Sequence, residues 1–205
     1  MPLSGYIMHE YKLVIPLPEV LEQKIHQIRK DFGVQYQYKP DPSRPHLTLL
    51  TFSQLEMMEE RILHKLKTIG MGATPFKVEL QDFGAFPTHT IYINVTTKNA
   101  IKSLMRSVKD IQRLLKTDAE HKPYFMQDPV ISVARKLKPW QFGKGWLEYA
   151  HRQFSGRFVA DGMLLLKRRD ASRPWQIIQR FEFQALPITM QQQSLFIEPP
   201  ISKSA

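Results

Sequence analysis

The sequence predicts an α+β fold of two similar lobes, and three observations carry the prediction. A short strand phrase occurs twice, as PHLTLLTF over residues 45–52 and PVISVARK over 129–136, the copies 84 residues apart. Each copy follows a loop and leads into a helical pattern, the order expected of two related units in one domain. The 205 residues suffice for one domain or two small lobes sharing an interface, and a 42% apolar content is globular.

The elements follow in chain order. Residues 11–17 (YKLVIPL) read as a buried strand closed by prolines, and Leu21, Ile25, Ile28 and Phe32 form the stripe of a helix. The proline-rich stretch YKPDPSRP, 38–45, is a loop that delivers the chain into the first phrase, a strand over 46–52. Ser53 is positioned to cap the next helix, whose stripe is Leu55, Met58, Ile62, Leu66 and Ile69 and which ends within 70–75. Strands are expected over 76–83 and over 90–95, the latter the β-rich TIYINV. A long amphipathic helix over 99–116 carries Ile101, Leu104, Met105, Val108, Ile111, Leu114 and Leu115 on one side. A polar segment, 117–128, leads to the second phrase, a strand over 129–135, and a helix over 139–154 follows. Strands over 158–166 and 175–183, joined by the basic loop KRRDASRP, close the domain as an antiparallel pair. Residues 1–185 are thus expected to form a single two-lobed domain, and 186–205, rich in Gln, Ser and Pro, a mobile or draped tail.

Composition narrows the function. The absence of cysteine excludes disulfides and thiolate metal sites. The N-terminus has no basic segment followed by an apolar one, and apolar runs such as MLLL are far too short to span a bilayer, so a cytoplasmic protein without a membrane partner is expected. The formal charge is +10 and uneven, with eleven Lys/Arg against four Asp/Glu between residues 130 and 184. A basic half attracts RNA, a nucleotide or a phosphorylated metabolite, although a solvated basic surface has the same composition. Phosphate-loop, dinucleotide-binding, HExxH and GxSxG patterns are missing, and the histidines lack paired metal spacing, so neither a cofactor nor a metal is expected.

The repeated phrase carries the chemistry. Strand positions two apart share a face, so His46 projects with Thr48, and Val130 with Ser132. An imidazole beside a hydroxyl on a rigid strand can hold and protonate a phosphate oxygen. The second copy keeps the hydroxyl and lacks the imidazole.

These residues resemble the 2H phosphoesterases, which include 2′-5′ RNA ligase-like proteins and RNA 2′,3′-cyclic phosphodiesterases. That family has two His-x-Thr/Ser-x motifs, one per lobe, facing each other across a cleft. His46-Leu47-Thr48-Leu49 matches the first motif with its preceding proline, and Val130-Ile131-Ser132-Val133, continued by Ala134-Arg135, matches the second in all but the histidine. The resemblance covers about residues 6–184. It implies two pseudo-symmetric antiparallel sheets flanked by helices around a central cleft. It also implies metal-independent chemistry on 2′,3′-cyclic or 2′-5′ phosphodiesters of RNA ends or nucleotides. His46, Thr48 and Ser132 are the implied catalytic residues. One histidine would take a proton and the other give one, while the hydroxyls hold phosphate oxygens.

Val130 can do neither half of that proton exchange. Three readings stay open: a protein that binds phosphate ligands without turnover, a replacement base among His89, His121 and His151, or a chemistry needing one proton carrier. Two further substrate contacts are candidates. Arg135 follows the second motif; three positions from Ser132 a regular strand aims it to the opposite face. Its long side chain at the strand end could still curl towards phosphate or lie on the surface. Tyr92, like Phe52, could stack on a base or belong to the core. The cluster Lys167, Arg168, Arg169 and Arg173 is placed to steer an RNA backbone or to form a solvated turn.

Overall fold

Two antiparallel sheets account for the strands of the described residues, 4–187, in a computed structural model of the chain. The first contains β1 (Met8–Pro16), β2 (His46–Leu55), β5 (Tyr124–Phe125), β8 (Gly162–Arg168) and β9 (Gln176–Glu182). Its order is β5-β2-β1-β8-β9. The second contains β3 (Phe76–Phe86), β4 (Thr90–Val95), β6 (Val130–Ala134) and β7 (Ser155–Ala160), in the order β6-β4-β3-β7. One motif strand therefore lies in each sheet, as the two-lobed α+β reading requires.

The helices are α1 (Glu19–Gln35), α2 (Glu59–Gly72), α3 (Lys98–Lys109), α4 (Gln112–Leu115) and α5 (Pro139–Tyr149). Helix α2 packs on β9 and α4 on β2, backing the first sheet. Its inner face buries Tyr11, Leu13, Ile15, Leu47, Leu50 and Phe52 against Ile62 and Leu66. Helices α1 and α5 back the second sheet through β6 and β4. There Phe32 and Phe83 meet the Tyr149 ring edge-on, at 5.4 and 5.0 Å between centroids. Side chains buried this fully contribute about 1.5–3 kcal/mol each.

Several elements differ from the sequence expectation. Ser53 is no helix cap: it lies within β2, paired with Glu10, because pairing with β1 continues to Leu55. The long helix over 99–116 breaks after Lys109 into α3 and α4. The strand over 158–166 is two strands, since the chain leaves the second sheet at Ala160 and enters the first at Gly162. A Cβ at Gly162 would stand 2.7 Å from the Phe181 carbonyl, so only glycine fits where β8 meets β9. The helix over 139–154 ends at Tyr149, and the polar segment 117–128 contains the short strand β5. After β9, the Ala185 and Leu186 amides bond to the carbonyls of Ala73 and Met71. The rest of the expected tail, 188–205, lies outside the described residues.

Candidate functional site

The two motif strands fold alike down to the position of an irregularity. In both, the first and third motif residues (His46 and Thr48, Val130 and Ser132) are half-buried, while the second and fourth are core. Both preceding prolines, Pro45 and Pro129, are buried. Val14 pairs with Thr48 and Leu13 with Leu50, leaving Leu49 as an extra residue on β2. Tyr92 pairs with Ser132 and Ile91 with Ala134, leaving Val133 as an extra residue on β6. A β-bulge thus falls at the fourth motif position of each copy.

The bulge matters because one extra residue reverses the alternation of faces. Beyond it, Thr51 and Arg135 return to the side of the sheet that carries the motif's first and third residues. Both line a large groove over the first sheet, together with His46 and Lys12. A regular strand would aim Arg135 away from Ser132's face, but the bulge at Val133 breaks that alternation, and Arg135 lines the groove.

The strands are also held together. Their Cα atoms approach within 8 Å. Arg29 of α1, only 4% exposed, donates from Nε and Nη2 to the Ser132 carbonyl at 3.0 and 2.7 Å. Its Nη1 donates to the Ser43 carbonyl at 2.8 Å, in the loop that enters the first motif. In the same loop Asp41 accepts from Arg135 Nη2 at 2.6 Å and from the Ser43 amide at 2.9 Å. Burial opposes the Asp41 carboxylate, but these bonds and the Arg135 charge outweigh it and hold it down at about 2.

His46 presents one ring nitrogen without a proton. Its Nδ1 lies 2.7 Å from the Arg44 carbonyl, which can only accept, so Nδ1 carries the proton and Nε2 is the unprotonated nitrogen. Burial, then the charges of Lys12 and Arg29, press its pKa down to about 4 against the pull of that carbonyl. The ring is neutral at physiological pH.

The other candidates divide. Thr48 and Ser132 share strand faces with groove residues, although they, Val130 and Tyr92 are not themselves in the groove lining. Tyr92 is half-buried beside Ser132 and stacks obliquely on Phe86 at 4.6 Å. It lies over Gly84, where a Cβ would come within 2.5 Å of its ring. Phe52, the other aromatic weighed, is core, stacked on Tyr11. Val130 pairs with Asn94, so no histidine stands opposite it on β4. His89 and His121 line the groove, and Asp118 engages His121 Nδ1 at 2.8 Å; His151 is exposed just past α5. Lys167 is turned from the groove and held by Glu56 and Glu59, both at 2.8 Å, while Arg168 and Arg173 line it. Among the described residues no group of three or more His, Asp or Glu could hold a metal ion.

The site has two contributors that sequence reading passed over, Arg29 and Lys12. Arg29 falls on the apolar stripe between Ile25 and Phe32, and Lys12 interrupts the apolar strand YKLVIPL. A charge in either pattern was the available signal.

Residues 16–172 match the family model of the 2′-5′ RNA ligase superfamily. The chain belongs to that superfamily. Among solved structures, this superfamily member is similar to TT0787 of Thermus thermophilus, at 17% identity and a TM-score of 0.61, covering 85% of this chain and 98% of that one. It is similar to E. coli LigT in apo form at 15% identity and a TM-score of 0.62, covering 85% and 97%. LigT has also been solved in complex with ATP and with 3′-AMP, at TM-scores of 0.61 and 0.58 and 14% identity, each covering 86% of this chain and 98% of that one. At these identities the likeness establishes the fold: two antiparallel sheets with flanking helices. No curated protein sequence matches the chain.

Proposed function

We propose that this superfamily member acts on RNA or nucleotide ends at 2′,3′-cyclic or 2′-5′ phosphodiesters, with activity reduced by the missing second histidine. The unit that carries the function is the two-lobed domain of residues 1–185. The observation that carries the reading is the mirrored pair of motif strands, each with its bulge at the fourth position. The LigT complexes with ATP and 3′-AMP support a nucleotide phosphate as the ligand class.

In this reading the Thr48 and Ser132 hydroxyls donate to non-bridging phosphate oxygens, and Arg135 neutralises their charge. Tyr92 offers a ring for a neighbouring base. His46, neutral with Nε2 free, takes the proton of an attacking water or ribose hydroxyl. Val130 offers no proton to the departing oxygen, and losing one general acid lowers rates by about 10²–10⁴. No metal or cofactor takes part. No helix among the described residues is long and apolar enough to cross a membrane. A cytoplasmic setting, where RNA ends are available, belongs to the same proposal.

Val130 and its partner Asn94 favour a second reading, in which the site holds such ends without turnover. One experiment separates the two. A short RNA ending in a 2′,3′-cyclic phosphate is incubated with the parent protein, His46→Ala and Val130→His. Slow turnover by the parent that His46→Ala abolishes supports the enzyme. Turnover confined to Val130→His supports the binding module, and none in any of the three, without binding, refutes both.

A further inference from the structure

Lys12 is a charged residue in the middle of an apolar strand. It is 8% exposed and lines the groove. It pairs with Thr51 on β2 and Leu166 on β8, so it stands mid-row on the floor of the first sheet. Its ammonium lies 4.4 Å from the centre of the Trp175 ring, and the Arg168 guanidinium lies at the same distance.

The nearby carboxylates are already engaged. Asp41 holds Arg135 at 2.6 Å and Glu10 holds Arg168 at 2.7 Å. Among the described residues none forms an ion pair with Lys12. Burial, then the charges of Arg135 and Arg168, press its pKa down to about 8 against the weaker pull of Asp41 and Glu10, which still leaves it mostly charged at neutral pH. A buried charge without a direct ion-pair partner is costly, and an apolar side chain of similar length would fill the same space without that cost. Cation–π contact with Trp175 orients the ammonium but does not neutralise it. The missing partner is an anion.

We infer that Lys12, with Trp175 and Arg168 beside it, forms a second phosphate subsite on the floor of the groove. It rests on the proposed function for the first phosphate, held at His46, Thr48 and Ser132. A ligand filling both subsites carries two phosphate groups set well apart, as an oligonucleotide end does and a nucleoside monophosphate does not. The distance is suitable: Lys12 lies four residue steps along β1 from Pro16, the partner of His46, roughly 13 Å of strand before the reach of the lysine is subtracted. The Lys12 charge is already felt at the His46 ring.

The test is equilibrium binding, which needs no turnover. Diadenylate ending in a 3′-phosphate has two phosphates and 3′-AMP has one; both are titrated into the parent, Lys12→Met and Thr48→Val. The parent should prefer the dinucleotide by about tenfold, the worth of one charge-assisted phosphate contact. Lys12→Met should reduce that preference to within about twofold, losing several-fold more affinity for the dinucleotide than for 3′-AMP. An unchanged preference in Lys12→Met overturns the subsite and leaves the motif site standing. Dinucleotide binding that Lys12→Met loses and Thr48→Val keeps supports the subsite and refutes the motif site instead. Binding of neither ligand by the parent overturns both.

Discussion

Arg29 grips the carbonyl oxygen of Ser132 with two nitrogens while its third holds the Ser43 carbonyl. One buried guanidinium on α1 thereby sets the distance between a residue of the second motif and the approach to the first. Burial and the Arg135 charge weaken its hold on its proton, with Asp41 pulling the other way, yet an arginine remains charged. The pseudo-symmetric strands need such a link, because they belong to different sheets and share no ladder of backbone hydrogen bonds.

Replacing Arg29 should therefore damage stability and site together. Arg29→Met takes three hydrogen bonds from the half-buried Ser132 and Ser43 and is expected to lower unfolding free energy by about 2–4 kcal/mol. Arg29→Lys should recover only part of this, since a single ammonium lacks the planar fork that reaches both carbonyls. Urea unfolding of the three proteins measures the order, and equal midpoints for Lys and Arg would contradict it.

His46 makes a prediction about pH. In the unfolded chain its ring titrates at the ordinary 6.5, whereas in the fold it is held to about 4. The folded protein thus refuses a proton that the unfolded chain accepts between those values. The resulting stability is complete above pH 6.5 and is lost as pH falls towards 4. The ring Cε1 proton of His46 should not shift in NMR between pH 8 and 5.5, and Lys12→Met should move its midpoint upward by removing a nearby cation. A midpoint near 6.5 in the parent would refute the burial and charge argument.

Much of this architecture was legible because periodicity reports which face is buried. The stripe of Ile25 and Phe32, the TIYINV strand and both motif strands stand where pattern put them. What escaped were single-residue events. The bulges at Leu49 and Val133 do leave a trace, the doubled apolar pairs Leu49-Leu50 and Val133-Ala134 that interrupt alternation. Taken as bulges, those pairs return Arg135 to the motif face. Asp161-Gly162 likewise marks the crossing between sheets inside what reads as one strand. The break of the helix over 99–116 leaves no comparable trace, because its apolar stripe runs on through Ile111 and Leu115. Groove electrostatics were least legible, since Lys12 meets Trp175, Arg135 and Arg168 only in the fold.

Lys12 should make the parent protein less stable than its own variant. An ordinary lysine titrates at 10.5, and the fold lowers this one to about 8. As pH falls from 10.5 to 8 the unfolded chain gains a proton that the folded protein does not take up, so this residue withdraws stability over that range and is fully unfavourable below it. The shift corresponds to about 3 kcal/mol at most. Lys12→Met is expected to be more stable than the parent by about 1–3 kcal/mol at pH 7, with the gap narrowing at pH 9.5. Urea unfolding at both pH values measures it. A variant less stable than the parent at pH 7 would mean that the ammonium holds the fold together. A gain in stability means instead that the groove keeps an unfavourable charge in place, as a residue kept for a ligand and not for the fold would require.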